Sequence, residues 1–487
     1  MGLEKLDPLL KLVPNIKRPE MPLSFRQKMK WTALILSTYL LMFSIPALGV
    51  NQALISTSPE FQLISIVFAA RIGSLVTVGI GPIVLASIFL QLLIGSKIIN
   101  VDLGDNEQKG RFQSLQKLFA AGIAIVEAYV FVATGYVPVT SASLVGLVVL
   151  QLAIAAIFII FLDEAMTKYG ITSGINLFIA AGVSFALIAG TIQILFPAAV
   201  TAITTGGATA IPNSLLAFGP LFFAILVMLI SIYAYDIKVE LPLAFSQFRG
   251  VGGRLPIPFL YVSVLPVILA MSLELSFTVW FRPLAGVTGS FMGLARFIAY
   301  YQPVATGTGG TTLNLVGGLV YLISPTFPLP YPPPYGGGYP AYIAFFEGTS
   351  PLYLPWGGVV QVPEMVHVAV YVLVLLILCV VFGRFWIEMT GQNPKAVADQ
   401  LQSVGWQIPG FRRDPRIVEN LLKKYIMTVT ILGSLFVGLL AAFATLTGAV
   451  GSGMGILLLV GIMYMVYQQI EQDRALESMP NINKLLS

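Results

Sequence analysis

Residues 72–96 read IGSLVTVGIGPIVLASIFLQLLIGS. No charged side chain interrupts them, and the stretch exceeds the roughly 20 residues a helix needs to cross a hydrocarbon layer about 30 Å thick. Within it, VGIGPIVLA (Val78–Ala86) has an echo in VSVLPVILA (Val262–Ala270). At one fixed offset Val78, Pro82, Leu85 and Ala86 coincide with Val262, Pro266, Leu269 and Ala270. Val, Leu and Ala recur in any membrane span, so the shared proline carries the match. Membrane proteins built from two related halves keep such traces, and Pro/Gly-interrupted segments at matching positions mark the working site. The pair predicts pseudo-symmetric partner helices, each kinked or broken where proline removes a backbone hydrogen bond. A weaker echo, SGINL against MGILL, joins later parts of the two halves.

The rest of the chain has the same character. Of its 487 residues 57% are apolar and 10% charged, with a mean hydropathy of +0.87. Soluble domains carry roughly 25% charged residues, so a soluble globular fold is excluded. Ten uncharged or nearly uncharged stretches are candidate spans. They lie in Trp31–Val50, in Ile72–Ser96, at 118–135 with Glu127 inside, and in Tyr136–Leu162. The charge-free run from Tyr169 to Tyr235 is split by TTGGATA between Pro197 and Pro212 into the fifth and sixth. Phe259–Trp280 and Met365–Gly383 follow, and TLTGAVGSG divides Tyr425–Ile470 into the ninth and tenth. The reading is an all-α polytopic membrane protein of ten spans in two inverted five-helix halves, 31–235 and 259–470, dividing near 194–214.

An even count places both termini on one side. All but three of the 27 basic residues fall on that side, the exceptions being Arg71, Arg282 and Arg296. Basic residues are retained in the cytoplasm, so both termini are expected there. The cytoplasmic parts are then the basic segment 1–30, the loops 236–258 and 388–422, and the tail 471–487. The first apolar run is a full span after a polar, basic stretch, so a retained first helix is expected rather than a cleaved signal peptide. The long external connection, 281–364, contains LNLVGGLVYLIS, too short to cross, and PLPYPPPYGGGYPAY, expected to be extended and irregular.

The chemistry is sparse. One cysteine, Cys379, forbids an intrachain disulfide, and one histidine, His367, gives no His-rich metal cluster and no partner for a nucleophile elbow. His367 reads as structural or interfacial. No phosphate-binding glycine loop and no metal-ligand spacing occurs, so neither enzyme activity, metal nor cofactor is expected. Glu127 and Glu274 are the intramembrane carboxylates on which an inverted-repeat secondary transporter would have to rest. As packing residues they would be neutral or hydrogen-bonded. Ile80 and Val84, like Ile171 and Ile175, are four apart and share a helix face. Taken alone, such pairs signify lipid contact or core packing.

Several stretches together resemble the SecY family of protein-translocation channels, the archaeal type most of all, with the eukaryotic Sec alpha subunit as its relative. They are ARIGSLVTVGIGPIVLASIFLQLLIGS, LDEAMTKYGITSGINLFIAAGV, VELPLAF, LPIPFLYVSVLPVILA, FWIEMTGQNPKAVADQL and IPGFRRDPRIVENLLKKYI, in the family's order over nearly the whole chain. The resemblance implies an hourglass channel, hinged between spans five and six and opening sideways to lipid between spans two and seven. Its waist would be a ring of six apolar side chains, Ile80, Val84, Ile171, Ile175, Ile268 and Leu458. A plug on the external side would occupy 59–70, with Pro59, Glu60, Phe61, Gln62, Leu63 and Ile64, ending at Arg71.

The resemblance also implies partners. They are two small single-span membrane subunits similar to SecE and the archaeal Sec beta subunit, the ribosome, signal sequences and nascent polypeptides, and the lipid bilayer. Arg412 and Arg413, near Arg416, together with Arg249 and Arg254 on the other long cytoplasmic loop, would dock the ribosome. The positive-inside rule alone also accounts for these arginines. Gln247 stands where the family has a basic residue, and the external Pro/Gly/Tyr segment matches none of its motifs.

Overall fold

The computed structural model describes residues 14–21, 23–52, 55, 69–95, 106–205, 210–245, 252–262, 264–305, 311–325, 327–328, 338–403, 406–407, 415–451 and 453–478. A helix lies in each of the ten expected stretches. The first half contains α1 (Phe25–Ser44), α2 (Gly81–Gly95), α3 (Asn106–Ala133), α4 (Val145–Tyr169), α5 (Gly174–Gly190), α6 (Phe196–Thr205), α7 (Ala210–Ala217) and α8 (Gly219–Asp236). The hairpin β1 (Lys238–Phe245) and β2 (Gly252–Pro258) leads to α9 (Leu265–Trp280). Then come α10 (Met292–Ile298), β3 (Tyr300–Ala305), β4 (Thr311–Gly317), α11 (Leu319–Ile323), α12 (Gly338–Phe346), β5 (Thr349–Tyr353) and β6 (Val359–Pro363). The long helix α13 (Glu364–Met389), α14 (Pro394–Ser403), β7 (Trp406–Gln407), α15 (Pro415–Leu446) and α16 (Gly453–Ser478) complete the chain.

Among the described residues seven helical stretches are long and apolar enough to cross a membrane, in the places of expected spans three to nine. Their surfaces agree with that solvent. On α4, Val148, Leu152, Ala156 and Ile159 are buried while Leu147, Leu150, Ile154 and Phe158 are exposed. On α13, Met365, Leu373 and Ile377 form an exposed stripe at helical spacing. In water such apolar faces would be aggregation sites; facing lipid they are at home.

Helix ends follow local sequence. α1 starts six residues before the first apolar run, because Ser24 and Gln27 form a capping box: Ser24 Oγ accepts from the Gln27 amide (3.4 Å) and Gln27 Oε1 from the Ser24 amide (3.0 Å). The two echoing prolines do not kink their helices. Pro82 is the second residue of α2 and Pro266 the second of α9. In a first turn the missing amide has no intrahelical partner to lose and proline's fixed φ suits the helix, so both prolines start helices. Gly174–Gly190 runs on through a π-helical turn, Thr191–Leu195, into α6, making one long rod of the fifth span.

Among the described residues all seven strands lie in the connections. β1 pairs antiparallel with β2, Leu241 opposite Leu255, and at its far end with β7, Phe245 opposite Trp406. Leu241 and Ile257 bury against Ile387, Ala398, Val418 and Leu422. The connection between α9 and α13 is more ordered than its composition suggests. β3 pairs with β4 and β5 with β6; α10 precedes the first hairpin, and α11 and α12 lie between the two in the chain. Residues 329–337, most of the Pro/Gly/Tyr run, lie outside the described residues, but its end forms α12. The hydrophobic LNLVGGLVYLIS divides into β4 and α11 because Gly318, at φ +91°, turns the chain.

Candidate functional site

Tight turns lead into α2. Ala47 N donates to Gly73 O (2.9 Å) and Leu75 N to Ile45 O (3.1 Å), which fixes the segment against the end of α1. Ser74 Oγ donates to Arg71 O (2.7 Å), and Thr77 Oγ1 donates to Ser74 O (2.5 Å) while accepting from Gly73 N (3.0 Å). The carbonyl of Ile80 then accepts from Ile83 N (3.0 Å) and Val84 N (3.2 Å), so Ile80 opens α2. Both Ile80 and Val84 are buried.

Asp163, which the sequence reading passed over, places the second pair. Its Oδ1 accepts from Ile175 N (2.9 Å) and from Ser173 Oγ (3.3 Å), so a carboxylate near the end of α4 serves the unpaired amides at the start of α5. Gly174 is obligatory here, since a Cβ would stand 2.7 Å from Asp163 Cα. Ile171 N donates to Thr32 Oγ1 on α1 (3.1 Å). Ile171 is buried, and Ile175 is partly buried against the main core. The sequence signal was a carboxylate, Asp163, ten residues before the Ser173-Gly174 pair at the helix junction.

Ile268 on α9 and Leu458 on α16 are buried in that same core, with Ile80 and Val84. The four elements that carry the six residues contact one another in two pairs. α2 packs on α9, and α16 packs along α5. Gly461, one turn beyond Leu458, faces Val264 at the start of α9, whose Cγ1 would be 3.1 Å from an added Cβ. A Cβ added at Gly182 on α5 would lie 3.4 Å from the Cα of Ala69, in the approach to α2. The carbonyl of Ala69 accepts from the buried Tyr39 hydroxyl. Ile171 lies at the edge of this arrangement, outside the main buried cluster.

Ionisable groups inside are few. Glu127 and Glu274 are both buried; one oxygen of Glu127 and both oxygens of Glu274 have no hydrogen-bond partner. Among the described residues no cluster of three His, Cys, Asp or Glu could hold a metal ion. His367 is structural, as expected. Nδ1 lies 2.9 Å from Glu364 Oε2 and Nε2 3.0 Å from Ser324 O, while Tyr321 donates to both Glu364 oxygens at 3.1 Å. Cys379 is buried.

Pro59, Glu60, Phe61, Gln62, Leu63 and Ile64 lie outside the described residues, as do Arg249, Arg412 and Arg413. Arg71 is exposed, its guanidinium 5.8 Å from the Phe43 ring centroid. Arg254 is exposed on β2, and its Nη1 donates to Glu240 Oε2 (2.6 Å). Sequence reasoning missed that β1 and β7 join the two long loops in one sheet.

The SecY family model matches residues 74–467. The chain belongs to the SecY family. It is 36% identical to the protein translocase subunit SecY of Methanocaldococcus jannaschii over 492 aligned positions, covering 100% of both chains. The corresponding subunit of Aeropyrum pernix is 32% identical, with 97% of this chain and 96% of the relative covered. A solved structure described as a protein conducting channel is similar at a TM-score of 0.78 and 35% identity, with 98% of this chain and 99% of the other covered. Sec61 in the canine ribosome–channel complex of the endoplasmic reticulum is similar at 0.75 and 34%, with 98% and 99% covered. The fold of the chain is that of the SecY channels.

Proposed function

We propose that the chain is the central pore-forming subunit of a Sec-type protein-conducting channel. It passes unfolded polypeptides across the cytoplasmic membrane and releases hydrophobic segments sideways into lipid. Similarity to translocase subunits over the full length of both chains carries the reading. The packing of α2 on α9 and of α16 along α5, with Ile80, Val84, Ile268 and Leu458 buried in one apolar core, supports a path lined by Ile80, Val84, Ile171, Ile175, Ile268 and Leu458.

Such a lining suits the task. A pore that passes many different sequences should hold none of them tightly, and a narrow apolar waist excludes ions and water by dewetting. A sideways opening between α2 and α9 lets each segment partition by its own transfer free energy. Leu or Ile gains a few tenths of a kcal/mol, whereas a central Lys or Asp costs roughly 2.5 to 3.5. The plug at 59–70 supplements the seal. Both termini face the cytoplasm, where Arg249, Arg254, Arg412 and Arg413 meet the ribosome. SecE-like and Sec beta-like subunits complete the complex. No catalytic residue is assigned, and the driving force comes from the ribosome or another engine.

Replacing both Glu127 and Glu274 by Gln separates this reading from a secondary transporter. In proteoliposomes a channel keeps its export of a signal-bearing precursor. Loss of export with intact assembly would contradict the channel reading and favour ion-coupled transport on those carboxylates.

A further inference from the structure

By the charge tally the external side holds three basic residues, and they sit differently. Arg71 is exposed, and Arg296 lies over the rings of Tyr300 and Tyr353. Arg282 is 2% exposed. It follows α9 by two positions, and its Nε donates to Thr134 O just beyond α3 (3.0 Å). The guanidinium carbon lies 3.8 Å from the Tyr136 ring centroid. A side chain of the second half is therefore plugged into the end of a helix of the first.

The socket follows from how α3 ends. Thr134 N donates to Val130 O (2.9 Å), Gly135 adopts φ +75°, and Val137 N returns to Phe131 O (3.0 Å). This closing pattern satisfies carbonyls of the last turn but leaves that of Thr134 to be met from outside. A cation there complements both the lone pair and the negative end of the helix dipole. Nη1 of Arg282 has no hydrogen-bond partner. The contact thus combines one charge-assisted bond and one ring contact with a buried donor left unfilled, a grip far short of what a fully paired guanidinium would supply.

We propose that Arg282, seated on Thr134 and Tyr136, is the external latch of the sideways opening and sets how hydrophobic a segment must be to part α9 from the first half. The proposal rests on the lateral-opening reading above. Parting α9 from α2 and α3 carries Arg282 out of its socket. Phe89 on α2 and Trp280 on α9, stacked at 5.9 Å with ring planes 12° apart, form a second contact across the same seam. That contact is apolar and exchanges readily for lipid. The Arg282 bond does not, so it opposes opening until the incoming segment compensates.

The test uses Arg282→Met and Arg282→Lys in the full complex in proteoliposomes, with a series of segments in which Ala is replaced stepwise by Leu. Arg282→Met is expected to lower the number of Leu needed for half-maximal release into lipid by about three, from the gain per Leu set against one hydrogen bond to a charged group. Arg282→Lys should give a smaller shift, because a flexible ammonium recovers the charge without the fixed fork or its stacking on the ring. In a Cys379→Ser background, Thr134→Cys and Arg282→Cys bridged by a short bismaleimide should abolish release, and the unbridged pair should allow it. A Met variant with a lowered Tm but an unmoved threshold overturns the proposal, as does undiminished release from the bridged protein. If the parent itself releases no segment, the lateral-opening reading falls and this proposal with it.

Discussion

Lys28 and Asp473 form an ion pair at 2.9 Å, the lysine in the first turn of α1 and the aspartate near the end of α16. The contact brings the start of the first expected span to the end of the tenth, which is the arrangement an even number of crossings requires. Both side chains are partly solvated, so the pair is worth on the order of 0.2–1 kcal/mol. Lys28→Glu should lower stability by about that amount and Asp473→Lys likewise, while the double exchange restores it. Thermal unfolding of the purified complex at low and high salt checks the cycle. A loss in the double variant equal to the sum of the two single losses would mean the two charges do not interact.

The junction of α8, α9 and α16 depends on Gly461. An added Cβ would lie 2.2 Å from Tyr235 Oη and 3.1 Å from Val264 Cγ1, and the Tyr235 ring is held against Tyr464 at 5.0 Å. Gly461→Val is expected to destabilise the protein by about 1–3 kcal/mol through overpacking. Gly461→Ala should be milder and be partly rescued by Tyr235→Phe, which removes the oxygen in the way. Denaturation midpoints of the four variants decide it, and an additive pair would place the strain elsewhere.

The helices were legible from uncharged length, because lipid demands it of every span, and the family from motif order. Three features were not. Pro82 and Pro266 read as kinks because sequence alone does not say where a helix begins; their place in the first turn turns the same chemistry into a start signal. The hairpin between α9 and α13 had no signal that was read, although Tyr301 and Leu315 pair across β3–β4 and bury with Val320 and Tyr321, and the end of the Pro/Gly/Tyr segment, expected to be irregular, forms α12. Arg282 counted as one of a few external charges, and only its three-dimensional partners on α3 distinguish it from Arg71.

Deleting residues 59–70 is expected to leave a folded channel that leaks ions, because the apolar waist alone would then hold the seal. Resting single-channel conductance in planar bilayers is the measurement. Conductance unchanged from the parent would count against a plug in this segment.

Arg254 is shared between Glu240 and the proposed ribosome surface. As an exposed pair it contributes little to stability. Arg254→Ala should therefore leave unfolding unchanged while weakening ribosome binding and reducing its salt slope by about one, as for the loss of one phosphate contact. Glu240→Gln frees the guanidinium and should strengthen binding. Co-sedimentation across a salt series reads both; parallel slopes for all three proteins would remove Arg254 from the docking surface.

The central claim is that Ile80, Val84, Ile171, Ile175, Ile268 and Leu458 line the path of the translocating chain. Asn at Ile268 or Leu458 would wet the constriction, raising resting leak and export of precursors with weak signals; at a mere packing position it would only destabilise, by about 1–3 kcal/mol. The most direct measurement replaces Cys379 and sets single cysteines at the six positions in turn. A precursor stalled midway, carrying its own cysteine, is then crosslinked to each. The account predicts crosslinks at all six, and crosslinks confined to one half of the molecule would contradict it.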